Sequence, residues 1–262
     1  MTELLYDRIT QDRVMAIEQY VCPSLNKKVC VVLTAYDDEE AIGEATKEFA
    51  IQRNVIKVIV VDNNSKDETS IVAQNYGAEV VKEKNQGYGY ACARGLREAL
   101  CCCDAEVIVL AEGDMTFRGS DLWKLLPFLE DADLVVGSRT HKHITESDSQ
   151  MGWFYLWGTM FIANVLSLRF FDWRFLGKTR FSDVGCTMRA ITRKGLLNII
   201  DALEVGDNHF SPHMLKVALE KDLHVIEVPI TFRKRVGLSK GAGGSKWRGF
   251  KIGIRMLCNI IK

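Results

Sequence analysis

Proline is scarce in this sequence, with four in 262 residues, and no Gly-, Ser- or Pro-rich stretch divides it. Internal repeats and low-complexity segments are absent too. One large α/β domain with decorations is therefore the default organisation. Neither sign of charge is in excess: 34 Lys and Arg balance 34 Asp and Glu. No global field favours a polyanion, so nucleic acid is not an expected partner. There are eight cysteines, but none shows the paired spacing of a zinc site, and Cys101, Cys102 and Cys103 are consecutive. That pattern is no disulfide framework. It fits a reducing cytosol, with most of these thiols acting as small buried hydrophobes.

The first residues carry Glu3, Asp7, Arg8 and Asp12 among apolar neighbours, which fits neither a secretory signal nor an anchor. The longest apolar run is residues 151–171, interrupted only by Asn164, Ser167, Arg169 and small residues. Its length would permit a membrane span. It lies mid-chain, however, between two polar segments that look catalytic, and a single span would part them. A buried or interfacial helix is the expectation.

What the sequence does have is alternation. A helical stripe over residues 3–22 is followed by an apolar run at Lys28–Thr34, read as a buried strand. Helix Glu39–Gln52, strand Val55–Val61 and helix Asp67–Tyr76 follow, the last with Ser65 or Asp67 as its cap. Then come strand Glu79–Lys82, helix Gly89–Cys102, strand Glu106–Ala111, helix Asp121–Leu129 and strand Leu134–Gly137. Near-continuous Val/Ile strands between amphipathic helices predict a mostly parallel sheet with helices on both faces. Such sheets bind ligands outside the carboxyl ends of their strands.

The residues after each strand are therefore the ones to inspect. They are Thr34-Ala35-Tyr36, Asp62-Asn63-Asn64-Ser65, the loop Lys84–Tyr88, Glu112-Gly113-Asp114, and Ser138-Arg139. Paired carboxylates at Glu112 and Asp114 suit a hard cation such as Mg²⁺ or Mn²⁺ carrying a diphosphate. Taken alone, the pair also fits a turn or a helix cap. Asp62 can accept from a base N–H or a ribose hydroxyl, and it equally suits an N-cap cluster. Asn85-Gln86-Gly87-Tyr88-Gly89 runs into a helix start, where glycine lets backbone approach an anion. It lacks the Lys-Ser/Thr ending of a phosphate loop and the spacing of a dinucleotide fingerprint.

In order, these segments resemble family 2 glycosyltransferases of the GT-A (nucleotide-diphospho-sugar transferase) fold. The resemblance covers roughly residues 28–240. It is carried by Leu33–Glu40, Val60–Thr69, Asn85–Gly89, Glu112–Asp114 at the Asp-X-Asp position, and Val135–Arg139. Within the family, the chain is most similar to the dolichol-phosphate mannosyltransferase and polyprenyl-phosphate glycosyltransferase group. Ser182–Ala190 is similar to that group's Asp-X-X-X-Gly-Phe-Arg-Ala segment, and Val225–Lys240 to its Glu-Val-Pro-Ile strand and basic loop.

The resemblance implies a catalytic domain over 28–240; the residue pattern adds a helical extension over residues 1–27 and a basic amphipathic helix over 241–262. It implies a metal-dependent, inverting transfer from a UDP- or GDP-linked sugar to a lipid phosphate. Thr34, Tyr36, Glu39 and Asp62 would contact the nucleoside, with Asn85 and Gly87 in the glycine loop. Asp114, with Glu112, would hold Mg²⁺ or Mn²⁺. Arg139 and Asp183 would shape the sugar and acceptor site. Arg189, Arg233, Arg235, Ser239 and Lys240 would hold anionic oxygens, a task that suits guanidinium groups.

Two departures bear on mechanism. Glu112 stands where the motif has Asp. In the segment 208–215, a relative's glutamate falls at His213, leaving only Asp207, His209 and His213 as base candidates. A hydroxyl acceptor needs a base, whereas a phosphate monoester is already anionic. A weak base position and a strong basic loop favour the phosphate. A hydroxyl acceptor and a non-catalytic nucleotide-binding subunit remain the alternatives. The aromatic segment 151–171 fits a membrane interface, and the basic, apolar C-terminal segment fits either an in-plane interfacial helix or an amphipathic helix packed on the domain. No C-terminal membrane hairpin of the kind many relatives carry is present. The implied placement is thus cytoplasmic and peripheral on the cytosolic membrane face, bound to lipid or to a membrane partner protein.

Overall fold

A computed structural model describes residues 26–146, 149, 152–171, 180–237 and 246–261. The expected helix over 3–22, and Ser239 and Lys240, lie outside the described residues.

The alternation resolves into one seven-stranded sheet of order β3-β2-β1-β4-β6-β5-β7. Its strands are β1 (Val29–Ala35), β2 (Val55–Asp62), β3 (Glu79–Lys82), β4 (Val107–Glu112), β5 (Leu134–Ser138), β6 (Arg189–Thr192) and β7 (Val225–Pro229). Every neighbouring pair is parallel except β4–β6 and β5–β6, where β6 runs against both. The mostly parallel sheet is thus present, with one reversed strand that the hydrophobic pattern did not disclose.

Helices α1 (Glu39–Ala50), α2 (Thr69–Asn75), α3 (Tyr88–Cys102), α4 (Leu122–Leu125), α5 (Trp153–Arg169), α6 (Arg193–Ile199), α7 (Phe210–Glu220) and α8 (Lys246–Ile261) surround the sheet. Period-two side-chain alternation divides the core. Cys30, Val32, Ile59, Val61, Ile108 and Leu110 pack with Leu96, Leu196, Phe210 and Leu215 on one face. Val29, Val31, Leu33, Val58, Val60 and Val109 pack with Ile42, Phe49, Leu122 and Leu125 on the other. Burial on both faces is why these strands read as continuous apolar runs.

The helix expected over 121–129 is broken. A 3₁₀ turn at Gly119–Asp121, the single turn α4 and a second 3₁₀ segment at Leu126–Glu130 replace it. Pro127 has no amide to continue the α ladder, which accounts for the break. At α2 the N-cap is Glu68, not Asp67 or Ser65; Asp67, one residue earlier, accepts the Thr69 amide on Oδ1 at 3.0 Å. Ser65 instead joins the turn after β2, donating its amide to Asp62 Oδ1 at 2.9 Å.

Among the described residues no helix is long and apolar enough to cross a membrane. The run 151–171 forms α5, which buries only Thr159, Ile162, Ala163 and Leu166. Trp153, Trp157, Phe161 and Leu168 are 61–73% exposed. Helix α8 lies against α5 and α7. Lys216 Nζ donates to the Asn259 carbonyl at 3.0 Å, and Arg169 Nη1 reaches the Ile260 carbonyl.

Candidate active site

A cavity of about 900 Å³ opens at the carboxyl edge of the sheet and runs out between α5 and α8. Its inner wall is polar: Thr34, Tyr36, Asp38, Asn63, Glu112, Asp114, Arg139 and Arg235. Its outer wall is apolar, with Trp153, Trp157, Phe161, Phe250, Ile254 and Leu257.

Tight backbone geometry builds the inner wall. Asn63, at the end of β2, accepts the Gly87 amide on Oδ1 at 2.8 Å and donates to the Asn85 carbonyl at 2.7 Å. That stitches the glycine loop to the neighbouring strand end. Gly87 has φ +152°, a region open to glycine. A Cβ on Gly89 would stand 1.9 Å from the Val205 carbonyl oxygen, so only glycine lets α3 start against the loop that precedes α7.

The acidic end centres on Asp114, which is 1% exposed. Its Oδ1 accepts from the Thr116 amide at 3.0 Å and from the Thr116 hydroxyl. Its Oδ2 lies 3.1 Å from Arg235 Nη1. The other arm of Arg235, Nη2, donates to Asp38 Oδ1 at 2.7 Å. Burial, and the nearby Asp114 carboxylate, push the Glu112 carboxyl up to about 8. A buried carboxyl at Asp114 beside a half-buried one at Glu112 fits a hard divalent cation, which both could meet with oxygen donors alone.

Beside them, Arg139 donates Nε to Asp183 Oδ2 at 2.7 Å and Nη2 to Asp183 Oδ1 at 2.9 Å. The guanidinium also sits 5.2 Å from the Phe232 ring centroid. Asp183 is fully buried and takes further bonds from Thr159 Oγ1 at 2.9 Å and the Gly185 amide at 3.0 Å. Burial pushes its carboxyl up, but Arg139 and these donors outweigh that, so it stays below the usual carboxylate range. Behind the pair, Glu227 on β7 accepts from the Ser182 and Asp183 amides, each at 2.7 Å.

Of the residues expected at the site, Thr34, Tyr36, Gly87, Glu112, Asp114, Arg139 and Arg235 line the cavity, and Asp183 supports Arg139 from behind. Five others are placed elsewhere. Asp62 spends Oδ1 on the Ser65 amide and Oδ2 on the Ser70 hydroxyl, holding its own turn. Glu39, at the exposed start of α1, accepts the Glu68 amide at 2.8 Å. Asn85 contributes its carbonyl to Asn63 and does not line the cavity. Arg233 points to Glu48 Oε2 at 2.7 Å and to the Phe117 carbonyl, tying the loop after β7 to α1. Arg189 is 1% exposed inside the sheet, donating to the Cys186 and Val184 carbonyls at 3.0 and 3.1 Å. Burial lowers its pKa, and its Nη1 has no partner among the described residues.

Sequence reasoning gave no role to Asp38, Thr116 or Phe232 and read Asn63 only as part of the turn after β2, yet all four line the cavity. Asp38 carried a readable signal, an acid at the helix start after β1. Phe232 carried none.

No base candidate from residues 207–213 reaches the cavity wall. His213 Nδ1 lies 3.2 Å from Asn259 Oδ1 and Nε2 3.0 Å from the Ala202 carbonyl, joining α7 to α8. Asp207 pairs with Arg255 at 3.1 Å. Burial, chiefly, lowers the His209 pKa.

Residues 30–198 match the family described as Glycosyl transferase family 2. The chain is 30% identical over 214 residues to the dolichyl-phosphate hexose transferase of Haloferax volcanii, covering 81% of this chain and 86% of that protein. It is 28% identical over 199 residues to an uncharacterised protein of Methanocaldococcus jannaschii, covering 72% and 81% respectively. Among solved structures it resembles glucosyl-3-phosphoglycerate synthase of Mycobacterium tuberculosis in complex with Mn²⁺, UDP-glucose and phosphoglyceric acid. There the TM-score is 0.64 at 17% identity, covering 92% of this chain and 83% of that one. At that identity the likeness concerns the fold.

Proposed function

This chain belongs to glycosyl transferase family 2 and is a glycosyltransferase of GT-A fold, and we propose that it moves a sugar from a nucleoside-diphosphate sugar to a polyprenyl phosphate at a membrane surface. One observation carries the reading: a polar, charged inner wall and an aromatic, apolar outer wall belong to a single cavity. A phosphate monoester with a long hydrocarbon tail has that division of chemistry. The Haloferax relative's name points the same way.

In this reading, Asn63 and the glycine loop hold the nucleoside end. Asp114 and Glu112 hold a divalent cation, which supplies charge stabilisation for the leaving diphosphate. Arg139, fixed by Asp183, faces the acceptor phosphate. An acceptor oxygen attacks the anomeric carbon opposite the leaving group. The new C–O bond forms as the bond to the diphosphate breaks, the electron pair leaves with the diphosphate, and the configuration inverts. No proton has to be removed, which suits a cavity that His209, His213 and Asp207 do not reach. The exposed rings of Trp153, Trp157 and Trp247 support docking on a bilayer from the cytosolic side.

The test is to incubate purified protein with undecaprenyl or dolichyl phosphate, Mn²⁺ or Mg²⁺, and a panel of UDP- and GDP-sugars. A lipid-linked sugar is the expected product. Transfer only to a glycan or small-molecule hydroxyl would refute the acceptor assignment. The second reading, a hydroxyl acceptor, then requires a base that mutation of His209 or Asp207 would expose.

A further inference from the structure

Arg235 stands where a cation on Asp114 would have to compete with it. Thr116 engages Asp114 Oδ1, and Arg235 Nη1 lies 3.1 Å from Oδ2. A divalent ion arriving alone must displace a guanidinium of like charge to reach that oxygen. Arg235 has little room to withdraw. Its side chain is 14% exposed, and its Nε is buried with no partner among the described residues. Its backbone is pinned on both sides: the Arg233 amide donates to the Thr116 carbonyl at 2.9 Å, and the Val236 amide to the Asp114 carbonyl at 3.1 Å. Freeing Asp114 would leave further buried donors of Arg235 unpaired, which is costly. A nucleoside diphosphate changes this balance. Its oxygens offer an acceptor to Nη1, so the guanidinium can release Asp114 without losing a partner.

We propose that Arg235 makes the site exclude a bare divalent cation and admit one only together with a nucleoside diphosphate. This rests on the metal–diphosphate reading above and adds an order of loading to it. Arg235 thereby acts as a positioning residue that couples two ligands, in addition to being one more cation for phosphate. Coupling of this kind is reciprocal, so the cation must tighten the diphosphate by the same factor.

The test measures free Mn²⁺ by its electron paramagnetic resonance signal in titrations of wild type, Arg235→Gln and Arg235→Met, each alone and with UDP or GDP. Wild type is expected to bind Mn²⁺ at least about tenfold more tightly when the diphosphate is present. In both variants, bare Mn²⁺ should bind about tenfold more tightly than in wild type, while UDP and GDP bind more weakly. The coupling then collapses. If wild type shows diphosphate-dependent uptake but neither variant gains affinity for bare Mn²⁺, the inference is overturned and the metal site stands. Uptake by wild type that is equal with and without diphosphate overturns it too, and needs no variant to fold. No Mn²⁺ uptake under any condition removes the metal reading itself, and this inference with it.

Discussion

Replacing Asp183 with Asn tests whether the Arg139–Asp183 pair is a rigid support. Asp183 is fully buried and the Arg139 side chain is 15% exposed. Asn keeps the shape but offers one acceptor where the carboxylate offered two. Its amide nitrogen must then face Arg139 Nε or Nη2, donor against donor, and a buried guanidinium loses its counter-charge. Removing one partner of a buried pair costs about 3–5 kcal/mol. The partial exposure of Arg139 places this case near the lower end. For a chain of this size, about 3 kcal/mol corresponds to roughly 6–12 °C in Tm. Equilibrium urea unfolding and thermal scanning at pH 7 measure both quantities. The double variant Arg139→Met, Asp183→Leu should recover part of the loss, since two apolar groups leave no buried charge. It should not recover all of it, because the Gly185 amide and Thr159 hydroxyl lose their acceptor. It should also be inactive. Asp183→Asn within 2 °C of wild type, or a double variant no more stable than the single one, would refute the reasoning. The same carboxyl sets an acid limit. Its folded pKa is depressed, so its contribution is fully present above the unfolded value of about 3.9. That contribution disappears as pH falls through the lower folded value. Wild-type stability should therefore fall below about pH 4 more steeply than that of the double variant.

Four further outcomes are expected. Asp114→Asn should cut turnover by about 10²–10³-fold and abolish Mn²⁺-dependent binding of UDP or GDP, and calorimetry showing undiminished metal-dependent binding would remove Asp114 as ligand. Gly89→Ala should destabilise by about 1–3 kcal/mol, since its Cβ meets the Val205 and Gly206 backbone; a Tm at the wild-type value would contradict the packing. Gly158→Ala, with open space around its Cβ in α5, should instead gain about 0.5–1 kcal/mol in urea unfolding, and a loss would show that α5 is packed differently. Trp153→Ser with Trp157→Ser should lower partitioning onto anionic vesicles by about tenfold or more while leaving Tm nearly unchanged, and equal sedimentation with vesicles would argue against α5 as the docking surface.

Strands β1 and β4 were readable because both of their faces are buried. Residues 29–33 and 107–111 have no polar interruption that would blur a strand into a loop. Their ends were readable for the same reason: Glu112 and Asp114 stand out only against a preceding apolar run. Asp62 and Arg233 show the limit of that logic. Each has the residue type a ligand would want, yet neither lines the cavity, and each meets a partner within the fold, Ser70 and Glu48. Sequence position does not reveal which partner lies nearest. Phe232 was beyond reach because its place under Arg139 depends on the loop after β7 crossing back over the sheet edge.

The reversed strand explains why Asp183 in particular escaped the strand-end rule. In a parallel strand, the residues that reach the carboxyl edge follow it in sequence. β6 runs against β4 and β5, pairing Arg189 with Leu110 and Val136. Its amino-terminal end therefore lies at the edge where its neighbours' carboxyl ends emerge. The loop delivered to the site is the one before it, Ser182–Met188, so a search of post-strand residues passes over Asp183. Only the resemblance reached it. The reversal also accounts for the support behind the pair. Glu227 on β7 lies next to β5, two strands from β6, and its carboxylate reaches the Ser182 and Asp183 amides. Burial, chiefly, raises the Glu227 carboxyl, and the two amides partly offset this. A chain from Glu227 through the 182–183 backbone to Asp183 and Arg139 thus fixes the guanidinium that faces the proposed acceptor phosphate. Arg139 itself was legible after β5, but its rigidity depends on strands far apart in sequence.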